Sequence, residues 1–133
     1  VNDMEDKEVL NEIDKLESKI DVFGGYFDID NKIIKVKKLE ELTLKPDFWN
    51  ESNSQDIVKE LGDYNRIIKN ITGIKEELLS YKGLIELDSS YLEDITFSTK
   101  ILKEKIEKLE LETKLSGKYD KNNAILELHS GAG

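Results

Sequence analysis

The chain has 133 residues, 38% of them hydrophobic and 37% charged, with a net charge of −9, one Pro, one His and no Cys. That composition excludes disulfides and cysteine-ligated metals and fits a reducing cytosol. It also argues against a surface that grips phosphate backbone as a whole, and no apolar run approaches the roughly 20 residues of a membrane span.

The first segment, VNDMEDKEVL onward, is acidic and lacks the basic-then-apolar pattern of a secretory signal. Residues 1–23 carry eight acids against three lysines. Val9, Ile13, Leu16, Ile20 and Phe23 step by four, three, four and three, which puts one apolar stripe on one helix face. Asn2 and Asp3 can cap its start. Gly24 and Gly25 are expected to stop it, because glycine readily adopts the left-handed conformation that follows a helix.

Ile29, Ile33, Val36, Leu39 and Leu42 form a second stripe. The β-branched cluster Ile33, Ile34, Val36 would suit a strand, but the flanking Lys-Lys and Glu-Glu pairs favour a helix. Pro46 restricts the residue before it, so this helix should end by Leu44. Residues 32–45 hold five lysines (Lys32, Lys35, Lys37, Lys38, Lys45) against Glu40 and Glu41. The strip reads either as an ordinary solvated face or as a contact surface.

The loop LKPDFWNES carries the only Trp. Phe48 and Trp49 are expected to fold back on the helices as a plug, with a partner-binding aromatic as the other reading. Ser52 and Gln55 then form a capping-box pattern, with Asp56 in the first turn. The long third stripe follows: Ile57, Leu61, Tyr64, Ile67, Ile68, Ile71, Ile74, Leu78, Tyr81 and Ile85. Gly62, Gly73 and Gly83 interrupt it, each at a cost of about 1 kcal/mol against Ala, and read as close helix crossings or as bends.

Ser90 and Glu93 form a second capping box. Leu92, Ile95, Thr99, Leu102, Ile106, Leu109 and Thr113 then alternate strictly by three and four, a coiled-coil or hairpin seam. Glu104–Lys108 and Glu110–Lys114 are spaced to support the helix. Lys114 and Gly117 mark its end. A polar turn, KYDKNN, leads to AILELHSGAG, whose alternation reads as a β-strand followed by a glycine turn. The expected fold is therefore mainly α: an antiparallel bundle of about four helices with helices three and four long, plus one trailing β-strand. The division is 1–116 as a helical domain and 117–133 as linker and first strand of a second domain.

Chemistry is sparse. With His129 alone and no Cys, zinc has no ligand set, and neither catalytic residues nor a cofactor or metal site is expected. HSGAG lacks the GxxxxGK[ST] phosphate-loop pattern. Two classes fit these residues: an interaction domain of a larger factor, and a freestanding coiled-coil adaptor that oligomerises through the seam of helix four.

Four stretches in order narrow the choice: GGYFDID at 24–30, LKPDFWNES at 44–52, the glycine-spotted helix after it, and LSGKYDKNNAILELHSGAG at 115–133. Their order resembles the N-terminal part of the bacterial peptide chain release factor 2 family, with the proline-aspartate-x-tryptophan-asparagine loop the most specific feature. The resemblance implies translation termination in the cytoplasm. The full-length factor reads UGA and UAA through a serine-proline-phenylalanine motif. It promotes peptidyl-tRNA hydrolysis through a glycine-glycine-glutamine loop. Neither motif occurs in these 133 residues, so this stretch is expected not to be an enzyme. The resemblance implies a helical domain that reaches the stalk base of the large ribosomal subunit, its RNA and protein, and that influences a GTPase release factor. It implies neither a DNA nor a membrane partner. Lys35, Lys37 and Lys38 are the candidate contact residues on this chain, and Trp49 is expected to pack on the bundle.

Overall fold

A computed structural model describes residues 3–115, as four α-helices and two short 3₁₀ turns. The predicted strand within 124–133, His129, Gly117 and the boundary at 116/117 lie outside the described residues, as does Asn2. Helix α1 spans Asp3–Tyr26, α2 spans Ile29–Thr43, α3 spans Ser54–Leu87 and α4 spans Leu92–Leu115.

The stripes become the core. Ile13, Leu16, Ile20 and Phe23 of α1, Ile71, Ile74, Leu78 and Ile85 of α3, and Leu92, Ile95, Leu102 and Ile106 of α4 are all buried in one cluster. Thr99 and Thr113 of the predicted seam are buried with them. The Thr113 hydroxyl donates to the Leu109 carbonyl at 2.7 Å, whereas the Thr99 hydroxyl oxygen has no partner.

Cross-helix ion pairs show how the helices run. Lys82 of α3 meets Asp14 at 3.1 Å and Glu17 at 2.9 Å, and Lys75 meets Asp21 at 2.8 Å, so α1 is antiparallel to α3. Lys103 of α4 meets Glu12 at 3.4 Å, and Glu110 meets Lys19 at 3.6 Å, so α4 is parallel to α1. Glu110 thus reaches across to α1. Glu12, Asp14, Glu17 and Asp21 of the acidic first segment are thus paired with lysines of the neighbouring helices.

The arrangement departs from a four-stave bundle. Helix α1 lies along the C-terminal half of α3 and α2 along its N-terminal half, with α4 folded back beside α1 and the C-terminal half of α3. The result is a three-helix bundle (α1, the far half of α3, α4) continued by a two-helix arm (α2 and the near half of α3). Val36, Leu39 and Phe48 are buried along the arm but stand outside the main cluster. Periodicity showed that α2 has an apolar face, but not which part of α3 covers it.

The corners also differ from expectation. Helix α1 runs straight through Gly24 and Gly25, and the left-handed residue is Asp28, with φ 54° and ψ 52°. Packing decides this: Phe23 is fully buried, Phe27 stacks on it at 6.2 Å, and Tyr26 meets Phe27 edge-on at 5.0 Å. These aromatics hold the last helical turn past the glycines. Asp is among the few residues that tolerate the left-handed region, and Asn31 Nδ2 donates to Asp28 Oδ2 at 2.8 Å.

Helix α3 starts at Ser54, two residues beyond the predicted Ser52 cap, with Asn53 at the N-cap and no side-chain capping bond. It is unbroken at its three glycines. A side-chain carbon at Gly62, Gly73 or Gly83 would meet no atom within 4 Å, which rules out the close-crossing reading. At the second corner the cap is Asp88, whose carboxylate accepts the Ser90 amide at 2.9 Å. Ser90 is itself part of the 3₁₀ turn Ser89–Tyr91, and α4 opens at Leu92.

Candidate interaction surface on the arm

The lysine strip divides. Lys35 faces α3: its ammonium lies 3.0 Å from Glu60 Oε1 and donates to the Tyr64 hydroxyl at 3.2 Å, while that hydroxyl donates to Glu60 at 2.9 Å. Lys35 and Lys32 both sit over the Tyr64 ring, at 5.4 and 5.6 Å from its centre, which adds cation–π attraction. Lys32 also donates to the Phe27 carbonyl at the end of α1. Hydrogen bonds from Lys35 and then Tyr64 hold the Glu60 carboxyl below the usual carboxylate range, and the bond to Glu60 raises the Lys35 ammonium. These two lysines therefore fasten α2 to α3 and hold the corner at Asp28. Lys35 is exposed, but its charge is already engaged.

Lys37 and Lys38 differ. Both are exposed. At about 100° per residue, Lys38 shares the outer face of α2 with half-exposed Ile34 and Glu41, directly away from buried Val36. Their spacing allows them to meet a partner without disturbing the arm. Of the three predicted contact lysines, the structure thus leaves two available and gives the third a structural task.

The loop beyond α2 splits in the same way. Phe48 is buried, as the plug reading requires, but Trp49 is 67% exposed, contrary to the expectation that it packs on the helices. The two rings touch edge-on at 4.9 Å. One aromatic anchors the 3₁₀ turn Phe48–Asn50 and its neighbour is turned outward. Leu44, 83% exposed, adds a second apolar side chain at this end. Sequence reading missed Leu44, although the signal was there: it falls two residues after Leu42 and so drops out of the stripe's register. The same loop borders an open groove of about 390 Å³, lined by Leu42, Lys45, Pro46, Phe48, Glu51 and Ile57 among others. An exposed indole offers a flat apolar ring with a polar N–H that a partner can bury.

Among the described residues no group of three or more His, Cys, Asp or Glu side chains could hold a metal ion. No helix among them is long and apolar enough to cross a membrane. The arm brings together exposed Leu44 and Trp49 with exposed Lys37 and Lys38.

A PCRF domain model matches residues 32–133. The chain is similar to Peptide chain release factor 2 of Listeria innocua serovar 6a, 35% identical over 136 residues, covering 98% of this chain and 37% of that protein. It is similar to Peptide chain release factor 2 of Staphylococcus haemolyticus at 32% identity over 136 residues, with the same coverage of 98% and 37%. The chain spans a little over a third of the length of these relatives.

Proposed function

The chain belongs to the PCRF domain family, and from that premise we propose that it serves translation termination as the helical N-terminal domain of a release factor of the second type. In this reading it is a positioning module that seats the factor on the cytoplasmic ribosome, at the stalk base of the large subunit, where ribosomal RNA and protein meet it. The factor recognises UGA and UAA and directs peptidyl-tRNA hydrolysis through regions beyond these residues. The domain itself is not an enzyme. A GTPase release factor is a further partner of the whole protein. The single observation that carries this reading is the match over residues 32–133, which takes in nearly all of α2 and the whole of α3 and α4.

The adaptor reading is weaker on a specific point. The seam of α4 that would pair between chains (Leu92, Ile95, Leu102 and Ile106) is filled by α1 and α3 of the same molecule.

The test is a release assay on stop-codon-programmed ribosomes. Alone, the chain is expected to release no peptide, yet in excess to slow release by an intact factor and to sediment with ribosomes. Codon-dependent release by the chain alone, or a failure to bind ribosomes at all, overturns the proposal. Reversing Lys37 and Lys38 to Glu is expected to weaken ribosome binding several-fold and to flatten its salt dependence by about one unit of slope for each phosphate left without its lysine, with the helical signal unchanged. Reversal at Lys35 is expected to loosen the arm instead.

A further inference from the structure

Helix α4 buries one apolar face and carries three further large apolar side chains on its outer, otherwise charged side. At about 100° per residue, Phe97, Ile101 and Leu111 fall within roughly 80° of one another, on the side opposite the buried Thr99 and Ile106. They are 66%, 49% and 56% exposed. Glu104 and Lys108 lie between them. A helix on the rim of a bundle normally turns a polar face outward, and single exposed apolar residues need no explanation. Three large ones aligned on one outer face do.

We propose that this outer face of α4 is the seat for the rest of the release-factor polypeptide, so that the helical domain is held against the remainder through Phe97, Ile101 and Leu111. The inference rests on the reading given under Proposed function. Two observations choose this occupant. The relatives are far longer than this chain, which covers 37% of them, so a large polypeptide remains to be placed. The face is also too small for an untethered partner. Three side chains offer a few hundred Å² of apolar surface at most, whereas a stable interface between free molecules takes about 1,200–2,000 Å² in total. A covalently linked partner meets the patch at an effective concentration in the millimolar range, where so small a contact suffices. A second copy of this chain has no such advantage.

The chain has no Cys, so Phe97→Cys or Ile101→Cys provides a single thiol within it. Labelling rates with a neutral thiol reagent are compared between the 133-residue chain and the full-length factor, any other cysteines there having been replaced. At both positions labelling is expected to slow at least about tenfold in the full-length factor. A thiol at exposed Leu79 of α3 should react equally in both. In the full-length factor carrying Phe97→Cys, adding Ile101→Lys should restore the fast rate while leaving the melting temperature of the isolated chain unchanged. Equal labelling in the two lengths overturns the proposal. So does slow labelling already in the 133-residue chain that deepens with concentration, because that would mean the face pairs with a second copy. Ribosome binding is read in a separate assay, so failure of the termination reading and failure of this contact are told apart.

Discussion

The two halves of α3 carry the same kind of apolar stripe but meet different fates. In the bundle half Ile71, Ile74, Leu78 and Ile85 are buried, enclosed by α1 and α4. In the arm half Ile57, Leu61, Ile67 and Ile68 are only half-buried, with α2 and the Phe48–Asn50 turn beside this stretch and Ile67 and Ile68 packed against the edge of the main cluster. Burial follows from how many helices surround a stripe, not from the stripe itself. Stability should then fall from bundle to arm, with the arm opening locally before the whole unfolds. That suits a division of labour: the bundle sets a rigid base, and the more weakly held arm carries the outward Trp49, Lys37 and Lys38.

The largest expected effect tests this gradient. Leu78→Ala, in the fully enclosed core, should cost about 2–5 kcal/mol of global stability by denaturant unfolding. Leu39→Ala, in the arm, should cost about 1–2 kcal/mol, because that side chain is less enclosed. By hydrogen exchange it should affect α2 and residues 54–68 and leave α4 protected. If Leu39→Ala lowers protection in α4 as much as in α2, bundle and arm are one cooperative unit and the comparison fails.

The sequence was legible where a rule is local and repeated. The alternation from Leu92 to Thr113 predicted a buried seam, and the structure buries all of it but Leu109, which is partly buried. It was less legible where two rules compete. Gly24-Gly25 is the stronger local stop signal, yet the packing of Phe23 and Phe27 carries α1 past it to Tyr26, and the turn falls on Asp28. For the site the limit was geometric. Charge counting grouped Lys35, Lys37 and Lys38 together, but only the facing residues Glu60 and Tyr64, far along the chain on α3, separate the structural lysine from the other two. Likewise nothing in PDFWN states which of two adjacent aromatics turns inward.

The second prediction concerns the joint between the regions. Asp28→Val places a β-branched residue at φ 54°, where only Gly, Asn and Asp sit readily. The cost should be about 1–3 kcal/mol, appearing as lower helicity and weaker protection around residues 24–33, whereas Asp28→Gly should be tolerated. Equal stability of Asp28→Val and the parent would mean that this corner is not fixed in the left-handed form.

The smallest effect probes the clamp that holds α2 to α3. The folded Glu60 carboxyl lies below its ordinary value of 4.5, so its contribution is complete above 4.5 and is lost as pH falls through the lower folded value. The folded Lys35 ammonium lies above its ordinary 10.5, so its contribution is complete below 10.5 and is lost as pH rises through the higher folded value. Both operate across the neutral range. Because the pair is exposed, solvent and salt weaken it, and the change in arm protection on acidification should be a few-fold at most. The discriminating measurement is therefore a difference: hydrogen-exchange protection of α2, relative to α4, should fall in the parent as pH drops below 4.5 and should be flat in Glu60→Gln. An arm whose relative protection falls equally in both proteins is held by Val36, Leu39 and Phe48 alone, and the Lys35–Glu60–Tyr64 cluster then has no share in setting its stability.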